Sequence, residues 1–313
     1  MLPELLIENV NDGVPADDRG FLYGDSIFET MLCLNGTASH LDLHVARFVE
    51  GMRSLGFLRD ASEVQASAIR AGSSAGIRDG TCDASDASDA SDARSWVRNL
   101  LLNALAQRLP SHGNYRVRVT LSRGSGATGY APAEHPALRL RTQMSELLHD
   151  PLRPLPPLSL RASTVFISEQ PRLAGAKHGN RLEQVLAAQE AHEAGFDDAI
   201  QCRASGFVQC TSCANVFIDR HGVFVTPPVE RCGIAGTRRR LIVDTLAPSI
   251  GVPVQEEEFT LRDLLQADGV FVTNSLVGIR TVSRVDDHEL VNSELVTSFQ
   301  DFYFRELRRS RKP

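Results

Sequence analysis

Apolar and polar positions alternate most regularly through Tyr115-Arg116-Val117-Arg118-Val119-Thr120-Leu121-Ser122, which predicts a half-buried strand. Residues 5–10, 27–34 and 137–142 also have strand character. The second of these runs into Asn35-Gly36, a pair that suits the positive-φ positions of a hairpin turn. Residues 41–55 repeat at helical spacing, with Leu43, Ala46, Phe48, Met52 and Leu55 as the apolar face, and helix is predicted again over 96–109. Later in the chain, a strand at 158–167 precedes a helix over 180–194 that carries Leu182, Val185, Leu186, Gln189 and Ala191, with Gly195 as its C-terminal stop. Short strands follow at 198–203, 216–219 and 223–226, and a helix opens after Gly233-Ile234-Ala235-Gly236 and runs to about 246. The pattern is that of a mixed α/β protein.

Two stretches interrupt it. Residues 73–94 hold a short-period Asp-Ala-Ser repeat, too poor in apolar groups to offset its ordering entropy, and read as a surface loop between helices. Asp150-Pro151-Leu152-Arg153-Pro154-Leu155-Pro156-Pro157 has four prolines, which exclude helix and favour extended chain. The expected domains are therefore 1–150 and 151–313.

Composition narrows the function classes. The 313 residues are 42% hydrophobic and 23% charged, in the range of a soluble globular protein. A net charge of -6 gives no general attraction to nucleic acid, and no apolar run has membrane-spanning length. The N-terminus lacks a signal-peptide pattern, and six cysteines without metal-type pairing read as cytosolic thiols. Cys210 and Cys213 form a C-x-x-C with no second pair, so no metal site is expected.

Lysine is the informative residue type. Of 33 basic residues only Lys177 and Lys312 are lysine, and Lys312 is in the basic tail. Lys177 stands in Leu173-Ala174-Gly175-Ala176-Lys177-His178-Gly179-Asn180-Arg181-Leu182-Glu183. A lysine can shed its proton and attack a carbonyl, which arginine cannot do. Scarcity alone leaves two readings, a functional amine or an incidental residue at a helix start. Arg47 likewise reads either as a surface charge on its helix or as a phosphate clamp. A glycine before a helix N-terminus at 236–237 suits a phosphate, a weak signal taken alone.

Together these stretches resemble the fold-type IV pyridoxal-phosphate enzymes, or class IV aminotransferases, whose fold is that of D-amino-acid aminotransferase. The Lys177 segment continues to Gln184-Val185-Leu186 in the family's manner. Tyr23-Gly24-Asp25-Ser26-Ile27-Phe28-Glu29-Thr30, Asn215-Val216-Phe217, Thr226-Pro227-Pro228 and Gly233-Ile234-Ala235-Gly236-Thr237 are also similar. The resemblance implies pyridoxal 5'-phosphate on Lys177. It implies a phosphate site from Arg47, the backbone at Thr237 and Arg238, and the Ser275 hydroxyl. Asn274, Tyr130, Thr128 and Glu29 are implied on the substrate side, with Glu29 equally readable as a structural carboxylate. A homodimer with a small-molecule substrate is implied, its active site at the domain cleft. Within the family the Lys177 segment is most similar to the carbon–oxygen lyases that release 4-aminobenzoate and pyruvate. A D-amino-acid or branched-chain aminotransferase is the alternative, and a catalytically impaired homologue with a binding role is a second.

Two positions depart from the family pattern. Cys210 stands where the family has a glutamate beside the cofactor's ring nitrogen, and Thr128 stands where the lyases often carry arginine. A weakened electron sink penalises amino transfer more than an elimination that forms an arene.

Overall fold

The alternating segment becomes the central strand of a six-stranded sheet. The computed structural model describes residues 5–8, 13–58, 69–71, 90–126, 129–133 and 136–309. The chain divides into one unit of Met1–Glu146 with Ala176–Asn180 and a second of Leu147–Gly175 with Arg181–Pro313.

In the first unit the strands are β1 (Leu5–Glu8), β2 (Ser26–Leu34), β3 (Thr37–Ala38), β4 (Ile69–Ala71), β5 (Asn114–Ser122) and β6 (Leu138–Glu146), in the order β3-β2-β5-β6-β1-β4. β5 pairs antiparallel with β2 along its whole length, Ser26 opposite Ser122 and Leu34 opposite Asn114. The two-residue period therefore sorts the side chains into two faces. Ile27, Met31, Val117, Val119 and Leu121 share a core with Val45, Phe48 and Met52 of α2 (Leu41–Ser54) and Val97 and Leu101 of α3 (Ala90–Ala106). Burial of each such side chain contributes roughly 1.5–3 kcal/mol. Phe28, Thr30, Arg116, Arg118 and Thr120 belong to the opposite face by the same alternation.

Both helices differ from the pattern reading. On α2, Leu43 and Ala46 are only half-buried, whereas His44, Val45, Arg47 and Val49 are buried. The inward face turns toward a buried carboxylate on β2, described below. α3 begins at Ala90, not at 96, because Ala93 packs into the core and extends the helix into the small-residue stretch. The rest of the repeat, 73–89, lies outside the described residues.

The second unit is built on a sheet of nine strands: β7 (Leu158–Ala162), β8 (Asp198–Cys202), β9 (Val208–Thr211), β10 (Asn215–Arg220), β11 (Val223–Thr226), β12 (Val254–Glu256), β13 (Gly269–Asn274), β14 (Gly278–Val285) and β15 (His288–Glu289). Their order is β12-β11-β10-β13-β14-β7-β8-β9, with β15 on β14. β7 stops at Ala162 because Ser163 and Thr164 turn to bond the Glu190 carboxylate. Glu190 lies on α4 (Leu182–Glu193), whose buried residues are Ala187 and Ala191. The large residues expected inward, Leu182, Val185 and Leu186, are exposed. Close approach of α4 to β8 needs alanines, so the small side chains take the inner face.

Candidate active site

Lys177 is held on the edge of β2. The Phe28 amide donates to the Lys177 carbonyl at 2.8 Å and the Gly179 amide donates to the Ser26 carbonyl at 2.7 Å. Ile27 and His178 form an antiparallel bridge, which sets Lys177 directly across from Phe28. Lys177 Nζ sits 4.6 Å from the centre of the Phe28 ring. Two glycines permit this approach. A Cβ on Gly24, whose φ is +65°, would meet Asn180 Oδ1 at 2.3 Å, and one on Gly179 would lie 3.0 Å from the Gly24 carbonyl oxygen. The glycines of Tyr23-Gly24-Asp25 and Lys177-His178-Gly179 are thus two sides of one contact.

Glu29 lies on the other face of β2 and is 1% exposed. Arg47 Nε donates to its Oε1 at 2.8 Å, Arg47 Nη2 to its Oε2 at 2.5 Å, and His44 Nδ1 lies 2.6 Å from Oε2. Burial would raise the carboxyl's pKa, but the charges and hydrogen bonds of Arg47 and His44 outweigh it and hold Glu29 at about 2. His44 and Arg47 are one helical turn apart on α2, so their three-residue spacing was a readable sign that they share a face. His44 was missed because its face reads as apolar only once the sheet is in place.

The second unit holds Thr237, Arg238, Ser275, Cys210 and Asn274. Thr237 opens α5 (Thr237–Leu241) behind Gly236, which caps the helix with no side-chain bond. The loop before it is pinned at four carbonyls. Gln209 Nε2 donates to Pro228 at 2.8 Å and to Cys232 at 3.3 Å, Asn215 Nδ2 to Ile234 at 2.9 Å, and Arg239 Nη2 to Pro227 at 3.0 Å. A Cβ at Gly236 would stand 1.9 Å from Asn215 Oδ1, and one at Gly233, with φ +81°, would stand 2.9 Å from Gln209 Nε2. Inside this cradle Thr237 Oγ1 is buried with no hydrogen-bond partner among the described residues. Arg238 is fully buried, and its Nη2 is 3.5 Å from the Ser275 carbonyl. An unsatisfied hydroxyl beside a buried guanidinium suits a phosphate ester. Gly236→Ala is expected to displace the Asn215 amide and weaken pyridoxal phosphate binding at least about 10-fold, read by fluorescence titration of the stripped protein.

Other positions singled out in the sequence resolve as follows. Asn274 Oδ1 accepts from the Leu276 and Val277 amides at 3.0 Å each, so its carbonyl is spent on the turn after β13. Tyr130 is 84% exposed and meets Tyr23 edge-on at 5.3 Å, while Arg19 Nη1 and Nη2 hold the Gly129 and Tyr130 carbonyls. Thr128 lies outside the described residues. Cys210 is buried beside Cys232, and burial, then that neighbour, pushes its thiol up to about 12. It is neutral at pH 7 and supplies no counter-charge to a ring nitrogen. Brief alkylation at pH 8 with mass mapping is accordingly expected to label exposed Cys213 well before Cys33, Cys202, Cys210 or Cys232.

The family described as amino-transferase class IV matches residues 26–285, from β2 through β14. The chain belongs to that family. The aminodeoxychorismate lyase of Vibrio harveyi is 30% identical over 278 residues, covering 88% of this chain and 89% of its own length. The solved 4-amino-4-deoxychorismate lyase of Pseudomonas aeruginosa has a TM-score of 0.70 at 29% identity and covers 96% of each chain. An aminotransferase of Brucella abortus solved with pyridoxal phosphate has a TM-score of 0.73 at 18% identity, over 96% of this chain and 95% of its own, a likeness of fold. The mixed α/β, fold-type IV architecture is therefore that of the class IV family, and its segments with sequence signatures are the ones that pin Lys177 to β2 and the loop to Thr237.

Proposed function

We propose that this enzyme converts 4-amino-4-deoxychorismate to 4-aminobenzoate and pyruvate, a step toward folate. The observation that carries the reading is Lys177, seated across from Phe28 by backbone pairing in a chain 30% identical to the Vibrio harveyi lyase. The cofactor is pyridoxal 5'-phosphate. When bound, it supplies an electron sink at the ring carbon that carries the substrate amine.

Lys177 Nζ is the proposed point of cofactor attachment. For the cofactor phosphate we assign Thr237, Arg238 and Ser275, with Arg47 as a further cation. Once released by the substrate amine, Lys177 takes the proton from the amine-bearing ring carbon. The bond from the neighbouring ring carbon to the enolpyruvyl oxygen then breaks, and its electron pair leaves on that oxygen. The Lys177 ammonium returns a proton to the enol methylene, which gives pyruvate. The ring is left aromatic as 4-aminobenzoate, so the elimination is downhill and tolerates the neutral Cys210. Tyr130 and Asn274 are proposed near the substrate, and the assembly is proposed to be a cytoplasmic homodimer. Among the described residues no helix is long and apolar enough to cross a membrane.

The test is pyruvate release from 4-amino-4-deoxychorismate, coupled to lactate dehydrogenase, beside keto-acid-dependent amino transfer from D-alanine and from leucine. Pyruvate without added keto acid supports the lyase. Transfer without pyruvate release replaces it with the aminotransferase, and neither activity from cofactor-loaded protein points to the impaired homologue.

A further inference from the structure

Gln201 on β8 carries a buried polar atom that the chain leaves without a partner. The residue is 0% exposed, and its Nε2 donates to the Val165 carbonyl at 3.4 Å and the Glu183 carbonyl at 3.3 Å. Those two acceptors fix which end of the amide is nitrogen, since an oxygen there would face two carbonyl oxygens. Its Oε1 is buried and has no hydrogen-bond partner among the described residues. A buried amide oxygen gives up water on folding and, unpaired, gains nothing in return. Such an orphan calls for a donor from outside the chain.

The sheet register locates it. β8 and β9 run antiparallel with Gln201 directly opposite Cys210, so the two side chains leave the same face of the sheet. Cys210 packs there against Ile167 and against Cys232, in the loop that runs to Thr237. Two residues after Cys232, Ile234 forms a parallel bridge with Gly175, which precedes Lys177 by two positions. The Gly175 amide donates to the Gly233 carbonyl and the Ala235 amide to the Gly175 carbonyl, each at 3.0 Å. The lead-in to the attachment lysine, the loop to the phosphate residues and Cys210 are thus packed together, with Gln201 beside Cys210 on the adjoining strand. Cys210 offers only a neutral thiol, a weak hydrogen-bonding group. Asp198, the nearby carboxylate on β8, lies three positions from Gln201 and so on the other face. It is already engaged by the Ala199 amide at 2.8 Å, by the Ser212 hydroxyl and by Cys213 Sγ at 3.2 Å.

We infer that Gln201 Oε1 accepts the hydrogen bond of the cofactor's ring nitrogen, at the place where Cys210 has no carboxylate to offer. The inference rests on the proposed cofactor site, in which Cys210 marks the ring-nitrogen end, and not on which reaction follows. A neutral amide oxygen holds a pyridinium N–H less strongly than a carboxylate does, so the ring is left a modest electron sink. That suits an elimination that forms an arene better than it suits amino transfer.

Three measurements test it on wild type, Gln201→Met and Cys210→Ala. Nitrogen NMR of holoenzyme loaded with pyridoxal phosphate isotopically labelled at the ring nitrogen reads that atom directly. Calorimetry on the stripped protein compares pyridoxal phosphate with its deaza analogue, which has CH in place of the ring nitrogen. Thermal unfolding reads stability. Wild type is expected to show a ring-nitrogen resonance displaced from the unprotonated pyridine position toward the pyridinium one, and to prefer pyridoxal phosphate over the analogue about 10-fold. Gln201→Met should return the resonance toward pyridine and bring the two affinities within about 2-fold, by weakening pyridoxal phosphate alone. Cys210→Ala should leave the resonance and the preference as in wild type. A wild type with a pyridine-like resonance and no preference overturns the inference before any variant is made. A resonance and preference that change in Cys210→Ala and not in Gln201→Met overturn it as well. A lower Tm of Gln201→Met with both readouts unchanged makes Gln201 a packing residue under α4 and overturns it too. Wild type that meets these expectations but releases no pyruvate overturns the lyase alone, and one that releases pyruvate but fails them leaves the lyase standing.

Discussion

Lys177→Ala is expected to lower pyruvate release at least about 1000-fold while the fold survives. The proposed mechanism gives one amine three duties, and no second lysine is available to take them over, since Lys312 lies in the C-terminal tail. General acid–base catalysis alone is worth about 100- to 10,000-fold, and loss of the attachment point adds to that. The strand pairing that seats residue 177 uses its backbone carbonyl and the Gly179 amide, neither of which the substitution touches. Circular dichroism and Tm should therefore stay near wild type, and the absorbance band of lysine-bound cofactor should be absent. A variant with more than a tenth of wild-type turnover would remove Lys177 from the reaction.

Arg47→Ala is expected to cost about 3–5 kcal/mol of stability, the usual penalty for stripping one partner from a buried ion pair. Glu29 is 1% exposed and, among the described residues, would keep only His44. Urea denaturation of the cofactor-free protein isolates this effect from any loss of phosphate binding. A double variant, Glu29→Gln with Arg47→Met, should recover most of the loss, because it removes the stranded charge and refills the volume. The pH dependence has a definite sign. Glu29 lies at about 2 in the folded protein against an ordinary 4.5, so its contribution is complete above pH 4.5 and disappears as pH falls toward 2. Wild type should lose stability across that window, and Arg47→Ala should lose much less there. A full-strength acid transition in Arg47→Ala, or a loss below about 1 kcal/mol, would show that the pair is not what holds α2 to β2.

The candidate site was legible in unequal parts. Lys177 stood out because the chain uses arginine for every other cation but one, and the glycines near it marked close approach before the contact was known. Arg47 was visible as a cation on a helix, but neither reading of it anticipated that two of its donor atoms are engaged by Glu29. β9 turns Gln209 toward the Pro228 and Cys232 carbonyls, contacts about 20 positions away that its place in the sequence does not announce.

Local pattern determined what is local. The period over 115–122, the Asn35-Gly36 turn and the α2 segment each follow from residues within a few positions of one another, and the structure has them where the pattern puts them. Tertiary structure decided which residues face in. Leu182, Val185 and Leu186 are exposed while two alanines are buried, since the approach of α4 to the sheet selects size over hydrophobicity. Ala93 draws α3 into a stretch that composition alone reads as loop. The pairing of Lys177 with Phe28, and of Glu29 with His44 and Arg47, joins residues 15 to about 150 positions apart. Electrostatic and packing energies depend on distance in space, and only the folded chain sets those distances.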